Sequence, residues 1–166
     1  AGTTQYGMYI YYYCALNNVI GNKIKLLTTS SGYGMYMGIY NNQYANTNPA
    51  KVYNNEIVIP QASSSYGFSI QVCRVEFYHN TIYLGGSGNN YGLYLNQVSS
   101  GWPFYAKNNI IACMTSNMNS GYAIYSNDAS YVLTINDCNL DYNNYYTAGN
   151  FIAYVSGNIS TLNSLR

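Results

Sequence analysis

The single histidine of the chain, His79, sits in the run "FYHNTIYL" beside Asn80 and Thr81. An imidazole next to an amide and a hydroxyl is the group that general acid–base chemistry most often recruits. The carboxylates are Glu56, Glu76, Asp128, Asp137 and Asp141. Hydrolysis of a glycosidic bond needs two of them across one sugar ring. Glu56 and Glu76 fall on different strands of the repeat described below. Asp137 and Asp141, four apart on one strand, share a face but stand ~13 Å apart, wider than an inverting pair. A polysaccharide lyase would need a cation and a base instead. The group nearest to that is Lys107 beside Asn108, with His79 one turn away and Asp137 in the same column as His79. His79, Lys107 and Asp137 are therefore the catalytic candidates. No G-x-S-x-G, H-E-x-x-H, P-loop or G-x-G-x-x-G occurs, and "GGSG" at Gly85–Gly88 reads as a turn. Cys14, Cys73, Cys113 and Cys138 form no C-x-x-C pair and lack histidine partners. An even count in a secreted chain permits disulfides, but the four fall in different columns of the repeat and buried thiols are the favoured expectation; no metal or cofactor is expected.

The elements that must position these groups are short and weakly charged. Charged residues are 7% of the 166, against about 25% in an average soluble domain. Polarity comes from Asn, Ser, Thr, Gly and the hydroxyls of 23 Tyr. A net charge of +1 supplies no field for nucleic acid or anionic lipid, so neither partner is expected. The most apolar run, Tyr6 to Leu16, is shorter than the ~20 residues of a membrane span. Low charge with abundant Tyr and Asn points to an extracellular or cell-surface setting.

The chain repeats itself. Apolar residues follow an Asn-containing pair in "NNVI" (Asn17), "NNEI" (Asn54), "HNTI" (His79), "NNII" (Asn108) and "DCNL" (Asp137). Between them run Tyr strands: "YGMYI", "YGMYM", "YGFSI", "YGLYL", "YAIYS" and "FIAYV". The mean period is roughly 29 residues, the signature of a solenoid. Each unit holds three short period-2 strands joined by Gly, Ser and Asn turns, and no segment carries a helical period. This predicts an all-β fold, a right-handed parallel β-helix of about five to six rungs with three strands each. Residues 1–166 form one domain, with 156–166 as a C-terminal cap. One turn cannot offset the entropy of ordering itself and must stack on its neighbours.

Stacking places equivalent residues in columns ~4.8 Å apart. The inner member of each pair gives Asn18, Asn55, Asn80 and Asn109, then Cys138, and reads as a structural amide ladder. The outer member gives Asn17, Asn54, His79, Asn108 and Asp137, which makes His79 a turn residue as readily as a catalyst. On the Tyr strand, Tyr91, Leu93 and Leu95 are expected on the core face, with Gly92 and Tyr94 outside. The outer column is then Tyr9, Tyr36, Ser69, Tyr94, Tyr125 and Tyr154, a platform that can stack on sugar rings or simply pack on itself. A glycine column beside it should leave a groove. Trp102, in "SGWPF", is either an exposed binding anchor or a lid over the core.

The runs "NNEIVI", "YHNTIYLGGSGNNYGLYL", "AKNNIIAC" and "LDYNNYYTAGNFIAYVSGNISTLNSL" resemble parallel β-helix repeats of large secreted or surface proteins of Bacteroidota-type bacteria, which often carry a type IX secretion sorting domain. The implied fold is similar to that of pectin-active lyases and hydrolases, which would imply polysaccharide chemistry. The chain departs from those enzymes in lacking their paired-Asp, Gly-His-Gly and Arg-x-Lys motifs and an acidic calcium cluster. The expectation is therefore a non-enzymatic structural or adhesive module that associates with itself or with neighbouring domains, its ends open to fibre formation. Carbohydrate binding on the Tyr stripe is the alternative, and a polysaccharide lyase or hydrolase the further one.

Overall fold

Side chains that alternate in and out over three to five residues, between Gly and Asn breaks, pair best with copies of themselves one turn away. The computed structural model describes residues 3–11, 18–38, 49–96, 102–126 and 138–161. Its strands are β1 (Gln5–Tyr11), β2 (Asn18–Ile20), β3 (Lys23–Lys25), β4 (Ser31–Gly38), β5 (Ala50–Tyr53), β6 (Glu56–Gln71), β7 (Val75–Tyr78) and β8 (Thr81–Asn96). They continue as β9 (Phe104–Lys107), β10 (Ile110–Thr115), β11 (Gly121–Ser126), β12 (Cys138–Asn139), β13 (Asn144–Thr147), β14 (Ala153–Val155) and β15 (Asn158–Ile159). No helix occurs among the described residues.

The strands wind into an all-β parallel solenoid of about four turns. Each turn has three arms. The Tyr arm stacks β1, β4, the second half of β6, the second half of β8, β11 and β14. The second arm stacks β2, β5, β7, β9 and β12. The third stacks β3, the first half of β6, the first half of β8, β10 and β13. The turn count is slightly below the expected five to six. After β14 the chain reverses into β15, the one antiparallel partner among the described strands.

Two of the expected turns are not turns. In β6 and β8 the third arm runs into the Tyr arm as one strand of 16 residues, so Gly85–Asn90 is extended rather than a loop. The bend is taken up by register shifts around Ala62 and by Gly86 at φ 122°. A Cβ on Gly86 would lie 1.9 Å from the Ala62 carbonyl oxygen, so only glycine lets the two corners nest.

The core is a set of columns. Val19, Val52, Phe77 and Ala106 line up from the second arm. Ile24, Ile57, Ile82 and Ile111 do so from the third, and Met35, Phe68, Leu93 and Ile124 from the Tyr arm. Phe68 stacks on Phe77 at 4.7 Å across the interior. Each fully buried side chain of this size contributes about 1.5–3 kcal/mol, which is why the turns hold only as a stack.

The Tyr strand breaks its alternation at the glycine. Gly92 and Leu93 both face inward, while Tyr91 and Tyr94 both face outward. A Cβ on Gly92 would meet Ile111 Cγ2 at 2.3 Å, and Gly7, Gly34 and Gly67 meet Ile24, Ile57 and Ile82 in the same way. The glycine column thus makes room for an isoleucine column inside the solenoid. It opens no groove outside, and Tyr91 does not belong to the core face.

Candidate functional site

Two ladders of repeated side chains dominate the molecule, one buried and one on its surface. The buried one fills the corner between the second and third arms. Asn22 donates from its backbone N–H and from Nδ2 to Asn55 Oδ1, at 3.0 and 2.9 Å. Asn55 repeats this towards Asn80, at 2.9 and 2.9 Å, and Asn80 towards Asn109, at 2.8 and 3.1 Å. Asn109 repeats it towards Asn143, at 3.0 and 2.8 Å. The other amide hydrogen goes back to a carbonyl of the second arm: Asn55 to Val19, Asn80 to Val52, Asn109 to Phe77 and Asn143 to Ala106, at 2.8–2.9 Å. No aliphatic side chain can do this, since each inner position, Asn55, Asn80 and Asn109, needs an oxygen that accepts twice and a nitrogen that donates both forward and back.

The ladder keeps the expected Asn55, Asn80 and Asn109 but changes hands at both ends. Asn18 is exposed on β2, paired with Lys51, and its expected rung belongs to Asn22. Cys138 pairs with Phe104 on the second arm, and its expected rung belongs to Asn143. The residue before each ladder asparagine is left-handed: Gly21 (φ 70°), Asn54 (55°), His79 (57°), Asn108 (56°) and Tyr142 (58°). Left-handed backbone favours Gly and, among larger residues, Asn, Asp and His. His79 is therefore placed by its backbone. It is exposed, and its N–H donates to the Lys107 carbonyl at 3.1 Å. Lys107 lies on β9 opposite Tyr78. Asn17 and Asp137 lie outside the described residues, so the His79, Lys107 and Asp137 group is represented by its first two members, joined through backbone. No group of three metal-ligating side chains occurs among the described residues. Cys73, Cys113 and Cys138 are buried thiols with no disulfide among them, and burial pushes Cys113 up to about 12. Cys14 lies outside the described residues.

The surface ladder covers the Tyr arm and has two interlocked columns. In the expected column, Tyr9 stacks on Tyr36 at 5.1 Å, Tyr94 on Tyr125 at 5.5 Å and Tyr125 on Tyr154 at 4.9 Å, with planes within 16°. The second column was missed by the sequence pattern. Tyr6 stacks on Tyr33 at 4.9 Å, Tyr33 on Tyr66 at 4.2 Å and Tyr91 on Tyr122 at 6.1 Å. Edge-on contacts such as Tyr91 to Tyr94 and Tyr66 to Tyr94 lace the columns together. Ser69 interrupts the first column and is buried, while Tyr36 donates its hydroxyl past it to Gln71 Oε1 at 2.8 Å. Stacked this way, the rings spend much of their face area on each other. Burial raises the phenols of Tyr33, Tyr91 and Tyr125 above the ordinary tyrosine value, with neighbouring phenols adding to it.

Trp102 is half-buried and packs against the core. The third arm carries an apolar outer face that the alignment did not single out, with Tyr83, Ile110 and Tyr146 exposed. No family model matches the chain, and no curated protein and no solved structure matches it.

Proposed function

We propose that this protein is a structural β-solenoid module of an extracellular or cell-surface assembly, a spacer or adhesive rod rather than an enzyme. The observation that carries the reading is where its repeated polar and aromatic groups are used. The asparagine amides bond the turns to one another, and the tyrosine faces stack between turns. Repetition here serves the continuation of the rod.

The ladder also has a direction. From Asn22 to Asn109, each asparagine donates to the side-chain oxygen of the next one towards the C-terminus. Among the described residues, Asn22 Oδ1 accepts nothing, and β1, β2 and β3 each pair on one side only. The N-terminal face is accordingly suited to receive one more turn, from a second copy or a neighbouring segment of the same protein. Such contacts are heterologous and build fibres rather than closed dimers. Sedimentation velocity over a range of concentrations, followed by electron microscopy, should show a growing series of head-to-tail species. A single compact monomer at every concentration would count against end-to-end growth.

Carbohydrate binding on the Tyr stripe is the weaker reading, because sugar stacking needs open ring faces. Retention on a glycan affinity gel that disappears in Tyr94→Ala and Tyr125→Ala would restore it.

A further inference from the structure

We propose that the outer tyrosine column is an oxidative cross-linking site, at which a peroxide-class oxidant joins rings of adjacent turns into dityrosine. The inference rests on ring geometry alone and is independent of the structural role proposed above.

Three pairs in register lie near-parallel at contact: Tyr9 with Tyr36 (5.1 Å, 15°), Tyr94 with Tyr125 (5.5 Å, 7°) and Tyr125 with Tyr154 (4.9 Å, 16°). Tyr9 is 53% exposed and Tyr36, Tyr94, Tyr125 and Tyr154 are half-buried, so a small oxidant can reach the column, and the carbons next to each hydroxyl are the positions that couple. A tyrosine ring turns about a broad torsion, so two stacked neighbours can tilt their edges together without moving the strands. The strands already hold the partners in place, which replaces a bimolecular encounter by a local one and favours coupling within the column over coupling between molecules.

Each phenol gives up one electron and its hydroxyl proton, and the peroxide O–O bond breaks as it takes up both electrons. The two phenoxyl radicals form one carbon–carbon bond between positions ortho to the oxygens. Rearomatisation moves each ring's displaced hydrogen onto its own oxygen, and the two protons lost pass to the reduced peroxide or to water. The product is a covalent staple across the turn-to-turn interface.

The test is photo-oxidation of the full chain with a ruthenium tris-bipyridyl complex and persulfate, a small oxidant that reaches ring edges. The folded protein should stay monomeric on a denaturing gel and gain dityrosine fluorescence. It should lose two hydrogens per bond, with peptide mapping placing the bonds at Tyr9–Tyr36, Tyr94–Tyr125 and Tyr125–Tyr154. The Tyr94–Tyr125 bond should be about ten-fold more abundant than in the same chain oxidised in urea. Tyr125→Phe keeps the stacked ring but should abolish both bonds made by Tyr125 and leave Tyr9–Tyr36. The proposal is overturned if no dityrosine forms, if folded and unfolded chains give the same distribution, or if the bonds run mainly between molecules through the exposed Tyr142.

Discussion

The asparagine corner and the tyrosine face are both one-residue ladders, yet they tolerate interruption very differently. In the corner, Asn80 accepts two hydrogen bonds from Asn55 and donates to Val52, Tyr78 and Asn109. Removing one rung leaves donors on one neighbour and carbonyls on another buried without partners. On the tyrosine face each ring gains contact area and stacking, and a missing ring forfeits only its own share. The molecule already contains that experiment: Ser69 stands where a tyrosine would, and the columns continue across it through Tyr66, which meets Tyr33, Tyr91 and Tyr94. Buried polar ladders are cooperative, while exposed aromatic ones are close to additive.

The largest effect should come from breaking the corner. Asn80→Ala orphans the buried Asn55 N–H, takes one of two acceptors from Asn55 Nδ2 and removes the amide donor from the Val52 carbonyl, and should cost about 3–4 kcal/mol in urea unfolding. Tyr125→Ala removes two stacks from a half-exposed site and should cost about 2 kcal/mol. If the two losses came out equal, the contrast between the ladders would fail. Alkali attacks buried phenols, two on the tyrosine face and one, Tyr145, on the third arm. Burial holds Tyr33, Tyr91 and, most deeply, Tyr145 above the ordinary value in the folded state. Their contribution is fully present below the unfolded value, about 10, and is lost as pH rises through the folded one. Melting temperature should fall steadily once pH passes about 10. A flat profile to pH ~11.5 would show that these phenols ionise equally in both states.

The solenoid, the three arms and the middle of the corner ladder were readable because their rule is local. An asparagine followed two residues later by an inward apolar residue marks Asn55, Asn80 and Asn109. The N-terminal end was misread because an asparagine two residues before an isoleucine occurs twice there. Asn18 with Ile20 and Asn22 with Ile24 look alike four residues apart although only Ile24 is buried, and rung-to-rung spacing varies from 25 to 34 residues, so the period does not arbitrate. What decides is that the left-handed slot before the ladder accepts Gly21 and Tyr142 as well as asparagine. An Asn pair is therefore sufficient but not required. The second tyrosine column was hidden for a related reason. Strict alternation assigns Tyr91 to the core, but a glycine has no side chain, so Gly92 and Leu93 can both face inward and shift the phase of the strand.

The slot itself gives the next prediction down. Tyr142 is held at φ 58° with its side chain 82% exposed, so the ring gains little contact to offset the backbone cost. Tyr142→Asn should stabilise the protein by roughly 1 kcal/mol. A destabilisation in thermal melts would mean that this corner is held by something other than its dihedral.

The smallest effect is expected at His79, and it bears on the first residue one would suspect of chemistry. Asn54 and Asn108 occupy the same slot in the turns on either side, at φ 55° and 56° against 57° for His79. Their N–H groups and that of His79 belong to the backbone, so the bond from His79 to the Lys107 carbonyl survives any side-chain replacement that keeps the dihedral. His79→Asn should therefore change stability by less than about 0.5 kcal/mol, whereas His79→Val, with a β-branch forced into left-handed backbone, should cost about 1–2 kcal/mol. The discriminating observation is the pair. If the asparagine variant were as damaged as the valine one, or if it abolished a measurable turnover of uronate polymers that the valine variant kept, the imidazole would have a role of its own and the corner could no longer be read as backbone geometry alone.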